Sequence, residues 1–183
     1  MPTLRISNTQ LLDGKEKSYL TANVAIGDGT ISVADYAQFS TGGFILIGDL
    51  GQEGSEIIRI STGTAPTPAG VVTLNANLVY PHSMNDPVVQ INFDQVEFSY
   101  ATTTTGTKNV LSTNNIEADD LFTTYSDDDV THLSTYYGFV RFVKNATPVT
   151  YSAYSGAIPY AGLGRNSVRY MKNRGLSLAN EGI

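Results

Sequence analysis

The chain has 183 residues, of which 41% are apolar and 15% charged, and this fits one medium-sized domain or two small ones with a buried core. It contains no cysteine, which excludes disulfides, thiolate metal sites and a catalytic thiol. Its net charge of −6 is unevenly spread, because residues 1–92 carry four Lys or Arg against eight Asp or Glu, residues 93–160 carry three against eight, and residues 161–183 carry four against one.

Residues 1–92 predict an N-terminal arm followed by a small β domain. The arm reads as irregular and contains the turn signal Asp13-Gly14. Five short strand-like runs follow, separated by Gly, Pro, Asn and Asp, and this spacing is typical of a small antiparallel barrel or sandwich. The runs are 30–33, 43–47, 56–60, 71–75 and 87–93.

Residues 93–160 predict a second β module. Val96, Phe98 and Tyr100 alternate along its first strand, a polar turn follows, and strands resume at 108–113 and 123–127. A strand at 136–142 and a short one at 149–151 complete the module. In the longer strand, every second residue would face one way; this set is Tyr136, Gly138, Val140 and Phe142.

Residues 161–183 form a basic C-terminal tail that predicts a short helix. Asn166 or Ser167 can cap its start, and an apolar stripe follows at spacings of three and four. The stripe is Val168, Met171, Gly175 and Leu178, with Arg165, Arg169 and Lys172 on another face. We expect this tail to bind a partner through Arg165, Arg169, Lys172, Val168, Met171 and Leu178, or to fold back on the acidic body of its own subunit.

Few residues indicate chemistry. His82 and His132 lie in separate turns without a second histidine at a metal-ligand spacing, so we interpret both as turn residues. The acidic run 127–129, with Glu117, Asp119 and Asp120 before it, offers oxygens for calcium. It lacks the spacing of a calcium loop, so a solvated turn is favoured.

No catalytic motif stands out. The chain has no Gly-x-Ser-x-Gly elbow, no phosphate-binding Gly-Lys-Ser/Thr loop and no complete dinucleotide fingerprint. A pair of carboxylates for glycoside cleavage cannot be picked out from seventeen acidic residues. We therefore expect a protein that is not an enzyme and that needs no cofactor.

The predicted strand at 136–142 has a second face, and its role is a separate prediction. Tyr137 and Phe139 lie opposite to Tyr136 and Val140 in the alternation. They form either a second core layer, which we favour, or a contact surface for a neighbouring subunit.

Residues 93–160 resemble the later strands of a fibronectin type III or immunoglobulin-like β-sandwich. The matching stretches are EFSYATTTTGTKNVLST, TTYSDDD, YYGFVRF and SAYS. In such sandwiches a tyrosine at the start of a late strand forms the tyrosine corner, so the resemblance implies this role for Tyr136. The chain departs from the family because it has no Trp and no clear counterpart of the first two strands.

A second resemblance covers most of the chain. The stretches GGFILIGDLGQEGSEIIRI and VVTLNANLVYPHSMNDPVVQI, together with IPYAGLGRNSVRYM, are similar to structural proteins of tailed-bacteriophage particles. This resemblance implies a virion protein made in the host cytoplasm and located in the head or neck, as a capsid decoration protein or a head–tail connector component. Capsid, portal or connector subunits would be its partners, and we expect it to be oligomeric in the particle.

Composition and charge also indicate whether nucleic acid or a membrane is a partner. An acidic body lacks the gathered Lys and Arg that offset phosphate charge, so we expect no direct role with nucleic acid. No apolar run approaches the ~18 residues of a membrane helix, and the start of the chain lacks a signal-peptide core, so we expect no membrane contact. The alternatives are a tail or baseplate subunit, a carbohydrate-binding adhesin and, less favoured, a glycan depolymerase.

Overall fold

The computed structural model describes residues 3–12, 17–126 and 135–161, and strands dominate them. A 3-10 helix spans Asn8–Leu12. The strands are β1 (Thr3–Ser7), β2 (Ser18–Tyr19), β3 (Thr30–Ser32), β4 (Phe44–Ile47), β5 (Glu56–Arg59), β6 (Val71–Thr73), β7 (Pro87–Ile91), β8 (Gln95–Ala101), β9 (Asn109–Asn115), β10 (Phe122–Ser126), β11 (Thr135–Lys144), β12 (Thr150–Tyr151) and β13 (Ile158–Ala161).

The first half of the chain builds a four-stranded antiparallel sheet in the order β2-β7-β4-β5, beside the antiparallel pair β3-β6. Strand β4 is central, with β5 on one side and β7 on the other, and all four of its residues are buried. Its sequence, FILI, is the continuous apolar run expected of a strand that is covered on both faces.

The two faces of β4 belong to two different cores. Ile45 and Ile47 pack into a first core with residues of β3, β5 and β6. Phe44 and Leu46 point the other way, as the alternation of a strand requires, and pack into a second core. Because that second core also contains Phe98 of β8, the four-stranded sheet is a layer shared by both halves of the chain.

The second half builds a five-stranded sheet around β11. Strand β8 pairs with one edge of β11, and β9 pairs with β8. The other edge of β11 carries β12 and then β13. Strands β1 and β10 form a separate antiparallel pair, and Leu4 of β1 lies against Gly138 of β11 inside the second core.

The expectation of an all-β protein is confirmed. The five runs predicted in the first half correspond to β3 to β7, with ends that differ by one or two residues. The sheets of the described residues do not close into a barrel. The predicted helical tail lies outside the described residues and stays a prediction, as does the division of the chain at residue 92.

The N-terminal arm differs from our expectation of irregular structure. Residues 3–7 form β1 and pair with β10, a strand from the second half of the chain. Its alternation is only five residues long, with Leu4 and Ile6 inward and Arg5 between them, which is too short to stand out in a sequence. Among the described residues, no helix is long and apolar enough to cross a membrane.

Candidate functional site

The outer face of the β8–β11 pair carries a cluster of polar side chains. The register places Arg141 beside Glu97 and Phe139 beside Ser99. These four residues alternate with the core residues of the same strands, so they point away from the second core. Glu97 is nevertheless only 5% exposed and Ser99 is fully buried, because the chain after β12 covers this face.

Three side chains donate hydrogen bonds to the Glu97 carboxylate. Arg141 donates from Nε at 2.8 Å to Oε1 and from Nη2 at 2.9 Å to Oε2. Tyr154 donates its hydroxyl at 2.7 Å and Ser99 at 3.1 Å, both to Oε1. A two-pronged arginine–carboxylate contact is among the strongest hydrogen-bonded pairs in proteins. The buried carboxylate therefore has a fixed, fully bonded environment.

The pKa shifts describe a cluster locked in one protonation state. Burial raises the pKa of Glu97, but the hydrogen bonds from Arg141 and Tyr154 outweigh it, so the net pKa is lowered. Burial lowers the pKa of Arg141, and the hydrogen bond and charge of Glu97 raise it above its ordinary value. Burial and the bond to Glu97 raise the pKa of Tyr154. At neutral pH the cluster is thus a carboxylate, a guanidinium and a neutral phenol.

Aromatic rings hold the Arg141 guanidinium from two sides. Its central carbon lies 3.8 Å from the centre of the Tyr151 ring and 4.4 Å from that of Tyr154. The Tyr154 ring also meets Phe139 edge-on at 6.1 Å, and Lys108 Nζ lies 4.7 Å from the centre of the Phe139 ring. Cation–π contacts of this kind favour a fixed stack. Phe139 is 3% exposed, which favours the second core layer over a free contact surface.

Two serines fasten the same segment to the edge of β11. The amides of Ser152 and Ser155 donate to the carbonyls of Phe142 and Val140. The hydroxyls of these serines accept from the amides of the same two residues, at 2.9 and 3.1 Å. Side-chain hydroxyls thus replace the missing strand between β12 and β13, and the backbone of β11 stays satisfied.

A second buried polar pair lies in the first half of the chain. His82 Nε2 is 2.9 Å from Glu56 Oε1, and the amides of Val79 and Tyr80 donate to the same carboxylate at 3.2 and 3.3 Å. Burial raises the pKa of Glu56, but the bonds from His82, Val79 and Tyr80 outweigh it and leave it lowered. The ring of His82 also lies 3.8 Å from Asp86 on its other side.

This pair holds a loop in place. The backbone of His82 bonds to Val24 in both directions, which joins the loops around residues 21–29 and 76–86. We interpreted His82 from the sequence as a turn residue that bonds backbone, and the structure adds the Glu56 contact that the sequence did not indicate. The joined loops expose four large apolar side chains: Ile26 at 65%, Val79 at 64%, Met84 at 53% and Tyr80 at 42%.

A cleft of about 510 Å³ lies between β1 and the segment after β12. Val140 and Phe142 contribute its apolar surface, and Arg5 and Arg141 contribute its charge. Its other lining residues are Ile6, Ser7, Gln10, Ser152, Ala153, Tyr154, Ser155 and Ile158. Its volume lies in the range of small-ligand sites, ~300–1,000 Å³.

The tail residues that we expected to bind a partner lie outside the described residues. They are Arg165, Val168, Arg169, Met171, Lys172 and Leu178. His132 and the acidic run 127–129 lie outside them as well, so the choice between a calcium loop and a solvated turn stays open. Within the described ranges, no group of three or more His, Asp or Glu side chains is arranged to hold a metal ion.

The Glu97 cluster was not predicted from the sequence. A signal existed, because Glu97 interrupts the apolar strand QVEFSY and Arg141 interrupts the aromatic strand YYGFVRF. Two opposite charges inside neighbouring apolar strands indicate a buried pair once the strands are aligned. The missing information was the register, which places Arg141 opposite Glu97.

Comparisons with known proteins give no relative for this chain. No protein-family model matches it, and neither a curated protein nor a solved structure is significantly similar.

Proposed function

We propose that the chain is a structural component of a tailed-phage virion, namely a head- or neck-associated protein that acts through protein–protein contacts. It would serve as a capsid decoration protein or a head–tail connector component. In this proposal residues 1–92 supply a small β domain, residues 93–160 a fibronectin type III or immunoglobulin-like sandwich, and residues 161–183 the anchor to a neighbouring subunit.

Two buried carboxylates, Glu97 and Glu56, each hold a segment of chain in place, and this observation carries the proposal. Glu97 fastens the segment after β12, and Glu56 fastens the loop at residues 76–86. Both carboxylates have lowered pKa values because fixed donors surround them. General acids and bases in enzymes instead have pKa values tuned towards the working pH. These clusters suit a rigid building block.

The exposed apolar side chains of the two joined loops give such a block a contact surface. Ile26, Val79, Tyr80 and Met84 are 42–65% exposed on loops that Glu56 and His82 hold together. Neighbouring exposed apolar side chains with a polar surround are typical of subunit interfaces. We expect these loops to contact another virion protein.

Charge supports an anchoring role for the tail. Residues 161–183 carry four Lys or Arg against one acidic residue, while residues 1–160 carry seven Lys or Arg against sixteen acidic residues. Complementary charge favours association and sets orientation between subunits. A basic tail on an acidic body fits contact with a neighbouring copy or with another acidic virion subunit.

Deletion of residues 165–183 tests this proposal in particles. We expect the truncated protein to stay cooperatively folded but to be lost from purified particles, as measured by quantitative mass spectrometry of copies per particle. A matched control replaces residues 165–183 with a Gly/Ser segment of equal length, which separates sequence from length. Normal copy number in the deletion, or absence of the wild-type chain from particles, would overturn the proposal.

The same particle inventory distinguishes head or neck from tail or baseplate, because tail-only particles would retain a tail subunit. A carbohydrate-binding adhesin is the second candidate, and the cleft beside Tyr154 favours it, since the polar side chains of Gln10 and Arg141 line it next to an aromatic ring. A glycan array with the full chain separates the two, because specific glycan binding supports the adhesin.

A further inference from the structure

Among the residues that the structure describes, no strand pairs with the second edge of β1, so this edge is open to them. The last residue pair of β1 and β10 in the register is Ser7 with Phe122. One step further along, the amide of Asn8 donates to the carbonyl of Leu121 at 2.9 Å, so Asn8 and Leu121 continue the ladder as a hydrogen-bonded pair. Alternation of hydrogen-bonded pairs then turns the backbone groups of Arg5 and Ser7 away from β10. No described residue bonds them on that side. An edge of this kind is a template for a further strand.

This open edge faces the cleft. Arg5, Ile6 and Ser7 of β1 line the cleft together with Val140 and Phe142 of β11. Residues 152–155 and Ile158 complete this part of its lining. Ile6 is only partly buried, and Ile158 is 37% exposed. The cleft therefore joins unpaired backbone groups to incompletely covered apolar side chains, and an extended chain would satisfy both.

The charge of the cleft limits what can enter it. The chain carries 17 acidic residues against 11 Lys and Arg, yet the cleft is lined by Arg5 and Arg141 and by no Asp or Glu. Arg141 is neutralised by Glu97, whereas Arg5 lies over the Phe122 ring at 4.3 Å and has no described carboxylate within ion-pair distance. An acidic side chain on the incoming strand would be favoured.

A second β1 strand is a poor occupant. Pairing of two β1 edges about a twofold axis centred on Arg5 would set the two arginines opposite each other, and like charges in that position are destabilising. The segment at residues 152–158 also stands beside the edge. A single inserted strand fits the cleft better than a flat edge-to-edge dimer.

The end of the tail has the matching chemistry. Residues 176–183 read LSLANEGI, in which Leu176 and Leu178 alternate with small polar or apolar residues. Glu181 is the only acidic residue of the tail, and this segment contains no Lys or Arg, since all four cations lie between residues 165 and 174. Gly175 separates the two parts and is a natural helix end.

We propose that residues 176–183 of one subunit enter the cleft of a neighbouring subunit as an extended strand that pairs with the open edge of β1 and sets Glu181 against Arg5. This inference rests on the proposed role of the tail as an intersubunit anchor and names its acceptor. Leu178 then belongs to the inserted strand and not to a helical stripe. Residues 162–175 form a connection that reaches up to about 50 Å when extended, enough to cross between subunits.

A charge exchange in the full chain tests the contact. Sedimentation velocity over a range of protein concentrations measures the dissociation constant of self-association. We expect Arg5→Glu and Glu181→Arg each to weaken association by about tenfold or more, and the double variant to recover to within about threefold of wild type. A strictly monomeric wild-type chain, single variants without effect, or a double variant without recovery would each overturn the inference.

A backbone change tests the strand pairing. Ser7→Pro removes an amide that points into the cleft and leaves the bonds of β1 to β10 in place, so it should abolish association. Ser7→Ala is the matched control, because it keeps the amide and should associate as wild type does. If Ser7→Pro lowers the unfolding midpoint, the inference is judged by the charge exchange between Arg5 and Glu181 alone. Association that survives in a folded Ser7→Pro protein would overturn the inference.

Two further outcomes separate this inference from the proposed function. In the first, the protein that lacks residues 165–183 is lost from particles, while the Arg5→Glu and Glu181→Arg variants are incorporated normally. The tail would then still be the anchor, but its acceptor would not be the cleft, which overturns the inference. Specific glycan binding that Arg5→Glu abolishes would make the cleft a sugar site and overturn the inference as well.

Discussion

Leu4 lies directly against Gly138, where the pair β1-β10 packs across the five-stranded sheet. A Cβ atom at Gly138 would overlap the end of the Leu4 side chain. Leu4 is 1% exposed and belongs to the second core. The glycine therefore lets the N-terminal strand approach the backbone of the central strand β11, a close approach that is one of the uses of glycine in a strand.

Gly138→Ala should lower the free energy of unfolding by about 1–3 kcal/mol, because the added methyl overpacks the contact with Leu4. Gly156→Ala is the control, since a Cβ there meets no atom within 4 Å. Urea unfolding measures both. In a Leu4→Ala background the cost of Gly138→Ala should shrink, and an unchanged cost would show that Leu4 is not the obstacle.

Tyr136→Phe should cost more stability than Tyr137→Phe. Tyr136 packs against the second core and meets the Tyr100 ring edge-on at 5.3 Å, while Tyr137 points to the outer face. If Tyr136 is the corner residue that the fibronectin resemblance implies, loss of its hydroxyl should cost about 1–3 kcal/mol. Equal losses in urea unfolding of the two variants would contradict this role.

The strands of this protein were largely predictable because their signals are local. Runs such as FILI and YYGFVRF combine β-branched or aromatic residues with flanking Gly, Asn or Pro, and β4 and β11 appear where these runs lie. Strand β1 was missed because its meaning depends on β10, more than a hundred residues later. Pairing at that distance has no local signal.

The polar clusters could not be predicted for the same reason. Glu56 and His82 are 26 residues apart, and Glu97 and Arg141 are 44 apart. Each residue alone reads as a surface charge or a turn residue, and only the register brings the partners together. The second core shows a related limit, because Phe44 and Phe98 come from different predicted domains and meet in one cluster.

Glu56→Ala should destabilise the loop at residues 76–86 more than the rest of the molecule. The change leaves the buried His82 ring and the amides of Val79 and Tyr80 without their acceptor, at a cost of about 1–3 kcal/mol. Amide hydrogen exchange should become faster in this loop. In strands β8 and β11 the exchange rate should rise only as much as the loss of overall stability requires. Asp28→Ala is a control on the adjacent loop, where the carboxylate accepts from the exposed amide of Ala25. Uniform faster exchange in every strand would contradict a local role.

Arg141→Met should cost about 3–5 kcal/mol, because it leaves the buried Glu97 carboxylate without its ion-pair partner. The double variant Arg141→Met with Glu97→Gln should recover part of this loss, since it removes the unpaired charge as well. Urea unfolding at pH 7 gives the four free energies of the cycle. A double variant as unstable as the sum of the single changes would mean that the two groups do not interact.

The Glu97 cluster should also give stability a dependence on acid pH. Burial raises the pKa of Glu97, but the hydrogen bonds from Arg141 and Tyr154 and the charge of Arg141 lower it by more than burial raises it. The folded pKa therefore lies below its ordinary value of 4.5. A carboxylate with a lowered pKa stabilises the folded state above its ordinary pKa, and this contribution is lost as pH falls through the folded pKa. The difference in unfolding free energy between wild type and Glu97→Gln should therefore be constant from pH 7 to about pH 5.5 and shrink below about pH 4.5. Glu56, whose pKa is also lowered, is present in both proteins and cancels in the difference. Urea unfolding at several pH values between 7 and 3 measures it, and a difference that stays constant or grows towards pH 3 would contradict the assignment.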